Sequence, residues 1–437
     1  MKFRKYLAVL MAVVCVFGAS GCGKDAKNDS TTAAGNVGVT DSAENGESVA
    51  ESETTVAVPQ EEVVLNFWYT DANMTDYFTE SVKKYQEANP GVVIKLELVA
   101  SAGYLENINT QSIKQTNAVD IYMLHNEDLE QAYLAGLANA YDPAGTVYTA
   151  ENFGRSAIRA VTYKEKQIAY PLYFNSAFLI YNKAYVTDVP ASFEDIQNFS
   201  NSLEYEEEGS ATDNIEKTFI WPVSDYSFNY AFLSDSFVVG GPNGDDRTQV
   251  DIANGTVASS LEYFYSLYDF FAIDRAEVTH EYCLQSFIEG KNAFTFAKTG
   301  DIKRLNESEV DYGTACMPNI SETVPASSLS YTQTLVVNPY SMHISEAQKF
   351  VQAITYEYVG DFYNKTGYYP SCKAWSYDDK VTGIYANYDD STPMPKMMTL
   401  GDYYIELEIL LHTVWDDNGE INELLNSFQN FVTIQLN

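Results

Sequence analysis

Cysteine and tryptophan are both scarce in this 437-residue chain, and basic residues are outnumbered by acidic ones 26 to 61. Of the five cysteines, Cys15 and Cys22 lie near the N-terminus, leaving Cys283, Cys316 and Cys372. Three thiols cannot all pair with one another and none has C-x-x-C spacing, which excludes a disulfide scaffold or a zinc site. They read as small buried apolar residues. The formal charge is −35, and losing a leader with Lys2, Arg4 and Lys5 takes three positive charges more, to −38. A field of that sign repels phosphate backbones and anionic lipid, so nucleic acid is no partner and no basic surface attaches the chain to a membrane. Signatures of chemistry are missing too. There is no phosphate-cradling loop ending in Lys-Ser/Thr, no Gly-x-Ser-x-Gly and no His-Glu-x-x-His. The run Gly240–Asp246 lacks the spaced ligands of a calcium loop and reads as a solvated turn. Acidic pairs among 61 carboxylates arise by chance and argue no glycosidase. No catalytic residue, cofactor or metal is expected.

What is present is apolar and aromatic: 46% of residues are hydrophobic, enough for two packed cores, with 34 Tyr and 23 Phe against 4 Trp. Tyrosine packs through its ring while its hydroxyl bonds, which suits wet surfaces and polar ligands. Most of these rings are expected to half-line cores and surface. The N-terminus reads as an address. Met1–Lys5 is basic, Tyr6–Phe17 is apolar but too short to span a bilayer, and Gly18-Ala19-Ser20-Gly21 precedes Cys22. Small residues before a cysteine resemble the bacterial lipoprotein processing site. Residues 1–21 are thus expected to be a signal peptide and Cys22 the lipidated residue. Ala19 stands where that pattern prefers a larger aliphatic, and plain secretion with cleavage after it is the alternative. From Gly23 to about Glu62 the chain is rich in Ser, Thr, Ala, Gly, Asn and Glu, without aromatics. It cannot bury enough apolar surface to order itself, so 22–62 reads as a lipid-anchored tether.

The body opens with alternating patterns. Val63–Tyr69, Val92–Leu98 and Ala118–Leu124 read as buried strands. Asp76–Asn89, Tyr104–Gln115 and Asp128–Ala135 have helical spacing, with Asn89-Pro90-Gly91 and Gly136 as stops. This rhythm predicts an α/β architecture, an open parallel sheet with helices on both faces. Ligands sit beyond the carboxyl ends of such strands, which places Trp68, Tyr69, Asp71, His125, Asn126 and Glu127 on a rim.

The pieces Phe67-Trp68, Tyr85 through Asn89-Pro90-Gly91, Asp120–Leu124 and Ala135-Gly136-Leu137 through Asp142 resemble the family 1 extracellular solute-binding proteins. These are the maltose/oligosaccharide-binding group of ABC importers. The likeness runs on through Lys166–Asn175, Leu179–Lys183, Pro190–Asp195, Phe287–Phe294, Asp311-Tyr312-Gly313 through Pro318, Val337–Ser341 and Thr366–Ser371. It implies a two-lobed, periplasmic-binding-protein-like type II fold with a ligand cleft between lobes. The implied lobes are 63–171 with 320–375 and 172–319 with 376–437, the chain crossing near 170–174, 318–329 and 369–378. It implies no enzyme but a monomeric lipoprotein that closes on a carbohydrate and presents it to the permease subunits of an ABC transporter. Lys298-Thr299-Gly300-Asp301 stands where many sugar binders carry Gly-Pro-Trp, so one stacking tryptophan is absent.

A sugar offers C–H faces to aromatic rings and rim hydroxyls to Asp, Asn and Glu. Both kinds are available at predicted loop ends. Trp68, Tyr69 and Asp71 follow the first strand, while Asp120, His125 and Asn126 flank the third. Tyr173, Phe174 and Asn175 lie at the first crossing. Trp221, Asp225, Tyr226 and Asp301 come from the second lobe, and Tyr331, Tyr368 and Tyr369 from the return segments. Trp68 either meets ligand or plugs the sheet, and Trp221 serves equally well as core. Tyr368 and Tyr369, if extended, cannot both face the cleft. Trp375 and Trp415 read as core. The same fold holding a cationic solute, a surface glycosidase and a sensory binding protein remain as alternatives.

Overall fold

The computed structural model describes residues 62–114, 118–203, 210–373, 379–417 and 419–437. The expected signal peptide, Cys22 and the tether up to residue 61 lie outside the described residues, as do 374–378 of the third crossing with Trp375.

Strand β1 (Val63–Tyr69) buries alternate residues Leu65, Phe67 and Tyr69, as a half-covered pleat requires. Helix α1 (Thr75–Ala88) turns Tyr77, Phe78, Val82 and Tyr85 inward. It stops at Asn89, because the residue before Pro90 is pushed out of the helical region. Then come β2 (Val92–Leu98), α2 (Tyr104–Lys114), β3 (Ile121–His125) and α3 (Leu129–Leu134). The expected strand–helix rhythm is therefore present, and β1 pairs in parallel with both β2 and β3.

Further along are α4 (Arg155–Val161), β4 (Tyr170–Asn182), β5 (Lys217–Phe219), α5 (Gly255–Phe271), α6 (His280–Ile288), β6 (Asn292–Lys298), β7 (Tyr312–Ala315) and β8 (Leu329–Val337). The chain ends through α7 (Ile344–Gln352), β9 (Tyr369–Pro370), α8 (Asp379–Asp390), β10 (Thr392–Pro393), α9 (Tyr403–Asp417) and α10 (Ile421–Leu436). Ten strands share one sheet in the order β2-β1-β3-β8-β4-β6-β5, with β7 and β9 also on β4 and β10 on β8. The sheet is mixed, which corrects the parallel expectation. Strand β8 runs antiparallel to both β3 and β4, and β6 runs antiparallel to β4. The residues of β8 are buried nearly throughout and carry no mark of strand direction; only the return path of the chain sets it.

Strand β4 joins the two halves. Its 13 residues are almost all buried, the mark of a strand covered on both faces, and span about 40 Å at about 3.3 Å per residue. The first half bonds to β8 and β9, the second to β6 and β7. Where β4 meets β8, Gln333 faces Tyr173 but Thr334 faces Pro171, so Leu172 is an extra residue, a bulge. Pro171 has no N–H to continue a regular ladder, and the Leu172 carbonyl is taken instead by the Ser371 N–H at 2.8 Å.

Two clusters cover the faces of the β1–β3 region. One contains Leu65, Phe67, Phe78, Leu335 and Phe350, the other Tyr104, Ile108, Tyr122, Leu129 and Val336. A third cluster unites β5 and β6 with α5, α9 and α10 through Phe219, Trp221, Phe264, Phe296, Trp415 and Phe428. The first cluster also takes in Leu284, Phe287 and Tyr312 with Val381, Ile384, Tyr385 and Tyr388, and the Tyr385 and Tyr388 rings pack on Phe174 of β4. Cys283 and Cys372 are buried as expected. Cys316 is exposed, because it follows β7 where the chain leaves the sheet.

A polar clasp closes one margin between the halves. The buried Glu130 carboxylate accepts from Arg247 at 2.9 Å, the Tyr163 hydroxyl at 3.1 Å and the Met398 N–H at 2.8 Å. The Gly240–Asp246 turn is packed rather than solvated, another correction. Asp245 accepts the Lys164 N–H, and the buried Lys396 ammonium donates to the carbonyls of Arg159 and Asn243. A Cβ on Gly244, whose φ is +65°, would stand 2.8 Å from Pro395 Cα, so this close approach requires glycine. Burial pushes the Lys396 amine down to about 7.

Candidate ligand-binding cleft

The carboxyl ends of β1 and β3, the middle of β4 and the start of β8 meet at one edge of the mixed sheet. Tyr331 and Gln333 sit two apart on β8, hence on one face. The His125 ring, at the end of β3, lies flat against Tyr331 with centroids 5.3 Å apart and planes 7° apart. Two cavities flank this pair. One of about 550 Å³ is lined by Thr70, Ser101, Glu106, His125, Asp128 and Gln333 among others. The second, of about 350 Å³, is lined by Asn175, Asp225, Tyr226, Lys298, Tyr331 and Glu408 among others.

Several of the polar groups have a defined anchor. The Asn175 amide donates to the Tyr331 hydroxyl at 3.4 Å, and its carbonyl accepts from the Thr299 hydroxyl at 2.6 Å. Asp225 caps a short turn by accepting from Ser227 and pairs with Lys298 at 2.8 Å. The Lys298 ammonium also stands 4.6 Å from the Phe228 ring centroid. Burial opposes ionisation of Asp225, but Lys298 and the Ser227 hydrogen bonds outweigh it and hold the carboxyl below its ordinary value. Beside the cavities, the Tyr173 hydroxyl donates to Asp71 at 3.0 Å and its ring stacks on Tyr368 at 4.4 Å. Asn73 donates to the Tyr368 hydroxyl at 2.9 Å. Burial and the Asp71 charge push the Tyr173 hydroxyl far up, so it stays a donor.

The electrostatics are acidic yet damped. Burial, reinforced by neighbouring Asp128, pushes Glu127 up to about 7, and burial raises Asp128 as well. His125 keeps an exposed edge, yet the packing around it lowers its basicity against the pull of Asp128 and Asp71. Near neutrality this rim therefore carries a mixture of protonated and ionised carboxyls beside a neutral imidazole.

Of the residues expected from sequence, His125, Asn175, Asp225, Tyr226 and Tyr331 line the cavities. Asp71, Tyr173 and Tyr368 form the adjoining stack. The others belong elsewhere. Trp221 is fully buried, stacked on Phe219, with its indole N–H given to Asn229. Phe174 is buried against the Tyr388 ring at 3.7 Å, and Tyr69 and Tyr369 are core. Trp68 packs on the Tyr104–Tyr122 cluster through the other face of β1. Asp120 precedes β3, at the opposite end of the sheet from the cleft, and accepts from the Asn66 N–H and Ser341. Buried Asn126 ties Met394 to Thr332. Asp301 takes the Lys298 N–H at 2.7 Å and faces His280 at 2.9 Å. These eight take positions outside the lining of the two cavities: Asp120 lies at the far end of its strand, and for most of the others a place along the chain does not tell which way the side chain turns.

Gln333, Asp128, Lys298, Glu408 and Tyr404 were missed. Tyr404 stacks on Tyr226 at 5.0 Å, and Glu408 lies one turn further along α9. The alternation from Tyr331 to Gln333 was a usable signal; nothing along α9 set Tyr404 and Glu408 apart.

Residues 80–388 match the model of a family described as bacterial extracellular solute-binding protein. The chain belongs to that family. A maltooligosaccharide ABC transporter solute-binding lipoprotein of Streptococcus pneumoniae is 22% identical over 348 residues, covering 75% of this chain and 78% of the relative. The maltodextrin-binding protein of Bacillus subtilis is 22% identical over 344 residues, covering 70% and 81%. Among solved structures, an extracellular solute-binding protein of Staphylococcus aureus in complex with maltose superimposes with a TM-score of 0.73 at 19% identity, covering 86% of this chain and 98% of that one. A cyclo/maltodextrin-binding protein complexed with maltotetraose gives 0.71 at 16% identity, covering 86% and 97%. The solute-binding protein thus has the two-lobed type II fold of those structures, and its second cavity is lined by Asn175, Ser176 and Ala177 where β4 passes between the halves. No helix among the described residues is long and apolar enough to cross a membrane.

Proposed function

We propose that this solute-binding protein captures a short glucose oligosaccharide at the cell surface and delivers it to the permease of an ABC transporter. The observation that carries the reading is the flanking of the Tyr331–His125 stack by two cavities edged with Asn175, Asp225, Lys298 and Gln333. Flat rings suit the C–H faces of a sugar, and planar amides and carboxylates suit its hydroxyls. Nothing in this arrangement attacks a bond, so the reading is capture rather than turnover. Lobes of 63–171 with 320–375 and 172–319 with 376–437 would close about the crossings. Ligand favours the closed form only by its better affinity for it. Lipidation of Cys22, after removal of 1–21, would hold the monomeric protein on the extracytoplasmic face. The names of the relatives support the substrate, the transporter and the lipid anchor.

The acidic rim of Asp71, Glu127, Asp128, Asp225 and Glu408 favours a second reading, a cationic solute. Titration calorimetry with maltose, maltotriose and maltotetraose, and separately with spermidine, decides between them. A saccharide should bind with little dependence on salt, whereas a cation should weaken steeply as salt rises. Binding of spermidine alone would overturn the saccharide reading. Chromatography of the same mixtures should show intact saccharides; shortened products would overturn capture without turnover.

A further inference from the structure

We propose that Gln333 is a specificity-determining residue of the cleft, its side-chain amide reading two adjacent hydroxyl groups of the bound saccharide. The inference rests on the saccharide reading above and adds a residue to it.

Gln333 is 1% exposed, and neither its amide oxygen nor its amide nitrogen meets a hydrogen-bond partner among the described residues. A buried amide without partners is destabilising, whereas an apolar side chain of like shape at the same place is not. The next residues on the same face of β8, Leu335 and Val337, are apolar and close-packed. The other buried polar side chains of β8, Ser330, Thr332 and Thr334, are all hydrogen-bonded, so Gln333 alone on the strand calls for something else to satisfy it.

Its position says what does. Gln333 borders the cavity of about 550 Å³ together with Thr70, Ser101, His125, Asp128 and Gln131, all carrying hydrogen-bonding side chains. It stands in register with His125 on one side and Tyr173 on the other, between the two stacked ring pairs. The extra residue of the bulge, Leu172 on β4, falls beside the Gln333–Tyr173 pair, so the ladder between the two strands is interrupted next to Gln333. The unpartnered amide singles out Gln333, and the interrupted ladder lies beside it.

A planar amide presents one acceptor and one donor edge side by side. Adjacent hydroxyls on a pyranose ring complement it, one donating to the oxygen while the other accepts from the nitrogen. A site built this way strongly rejects an analogue lacking either hydroxyl, because the amide is then left bare again.

Calorimetry and thermal melting of the full chain and of Gln333→Met and Gln333→Glu, with maltotriose and a deoxy analogue of it as probes, test the assignment. Gln333→Met should melt at or above the temperature of the unaltered protein, yet bind maltotriose roughly tenfold to a hundredfold more weakly and lose discrimination against the deoxy analogue. Gln333→Glu should bind weakly at about pH 8 and recover in part at about pH 5, where the protonated acid regains a donor. Unchanged affinity in Gln333→Met, or a large fall in its unliganded melting temperature, would overturn the role of Gln333. Failure of the unaltered protein to bind any saccharide would overturn the saccharide reading and this assignment with it.

Discussion

Two aromatic assemblies in this molecule look alike in composition and serve opposite ends. In the second half, Trp221 lies between Phe219 at 4.7 Å and Trp415 at 5.5 Å, sealed from water. At the cleft, Tyr173 stacks on Tyr368 and Tyr331 on His125, with hydroxyls directed at Asp71, Asn73 and Asn175. The first assembly is held by burial on all sides. In the second, Tyr173 is buried as well, while His125, Tyr331 and Tyr368 keep an accessible edge. Ring content therefore does not reveal a binding site. What distinguishes one is whether the rings keep an accessible edge at the margin of the fold.

The largest expected effect comes from breaking the sealed assembly. Trp221→Ala should cost about 3–5 kcal/mol of stability in chemical denaturation, through lost burial and the cavity left behind. Asn229, which accepts the indole N–H, would lose that partner as well. Loss of well under 1 kcal/mol would show that Trp221 is not core. Tyr368 is half-buried, so Tyr368→Ala should cost only about 1 kcal/mol. Maltotriose affinity should nonetheless fall roughly tenfold, since one stacked face is removed. The reverse outcome, full affinity with a deep loss of stability, would move Tyr368 into the class of Trp221.

The smallest effect concerns charge. Glu127 is pushed from its ordinary 4.5 up to about 7, so over that window the folded chain holds a proton that the unfolded chain has released. Its contribution is thus fully present below about pH 4.5 and is lost as pH rises through about 7. Melting temperatures from about pH 4 to about pH 8 should show Glu127→Gln gaining on the unaltered protein as pH increases. Parallel profiles for the two proteins would show that the carboxyl is not desolvated.

Much of the fold was legible. The three strands and three helices from Val63 to Leu134 have hydrophobic periods and stops strong enough to be read locally, and Asn89-Pro90 marks the end of α1 to within a residue. Direction in the sheet was not legible, since the residues of β8 suit a buried strand whichever way it runs. Site residues fared unevenly. Asp225 and Tyr226 reach the second cavity, as their loop position suggested, while neighbouring Trp221 in the same loop turns into the core. Tyr368 and Tyr369 divide between stack and core, because successive residues of an extended segment face opposite ways.

Local chemistry along the chain was enough to establish the α/β rhythm, the acidic surface and a store of tyrosines fit for polar ligands. Those properties depend on residues a few positions apart. The tertiary structure alone decided which rings remain at the margin, which carboxyls are crowded enough to retain protons, and that the amide of Gln333 stands unanswered beside a cavity. Each of those depends on groups brought together from distant parts of the chain, and sequence spacing carries no record of them.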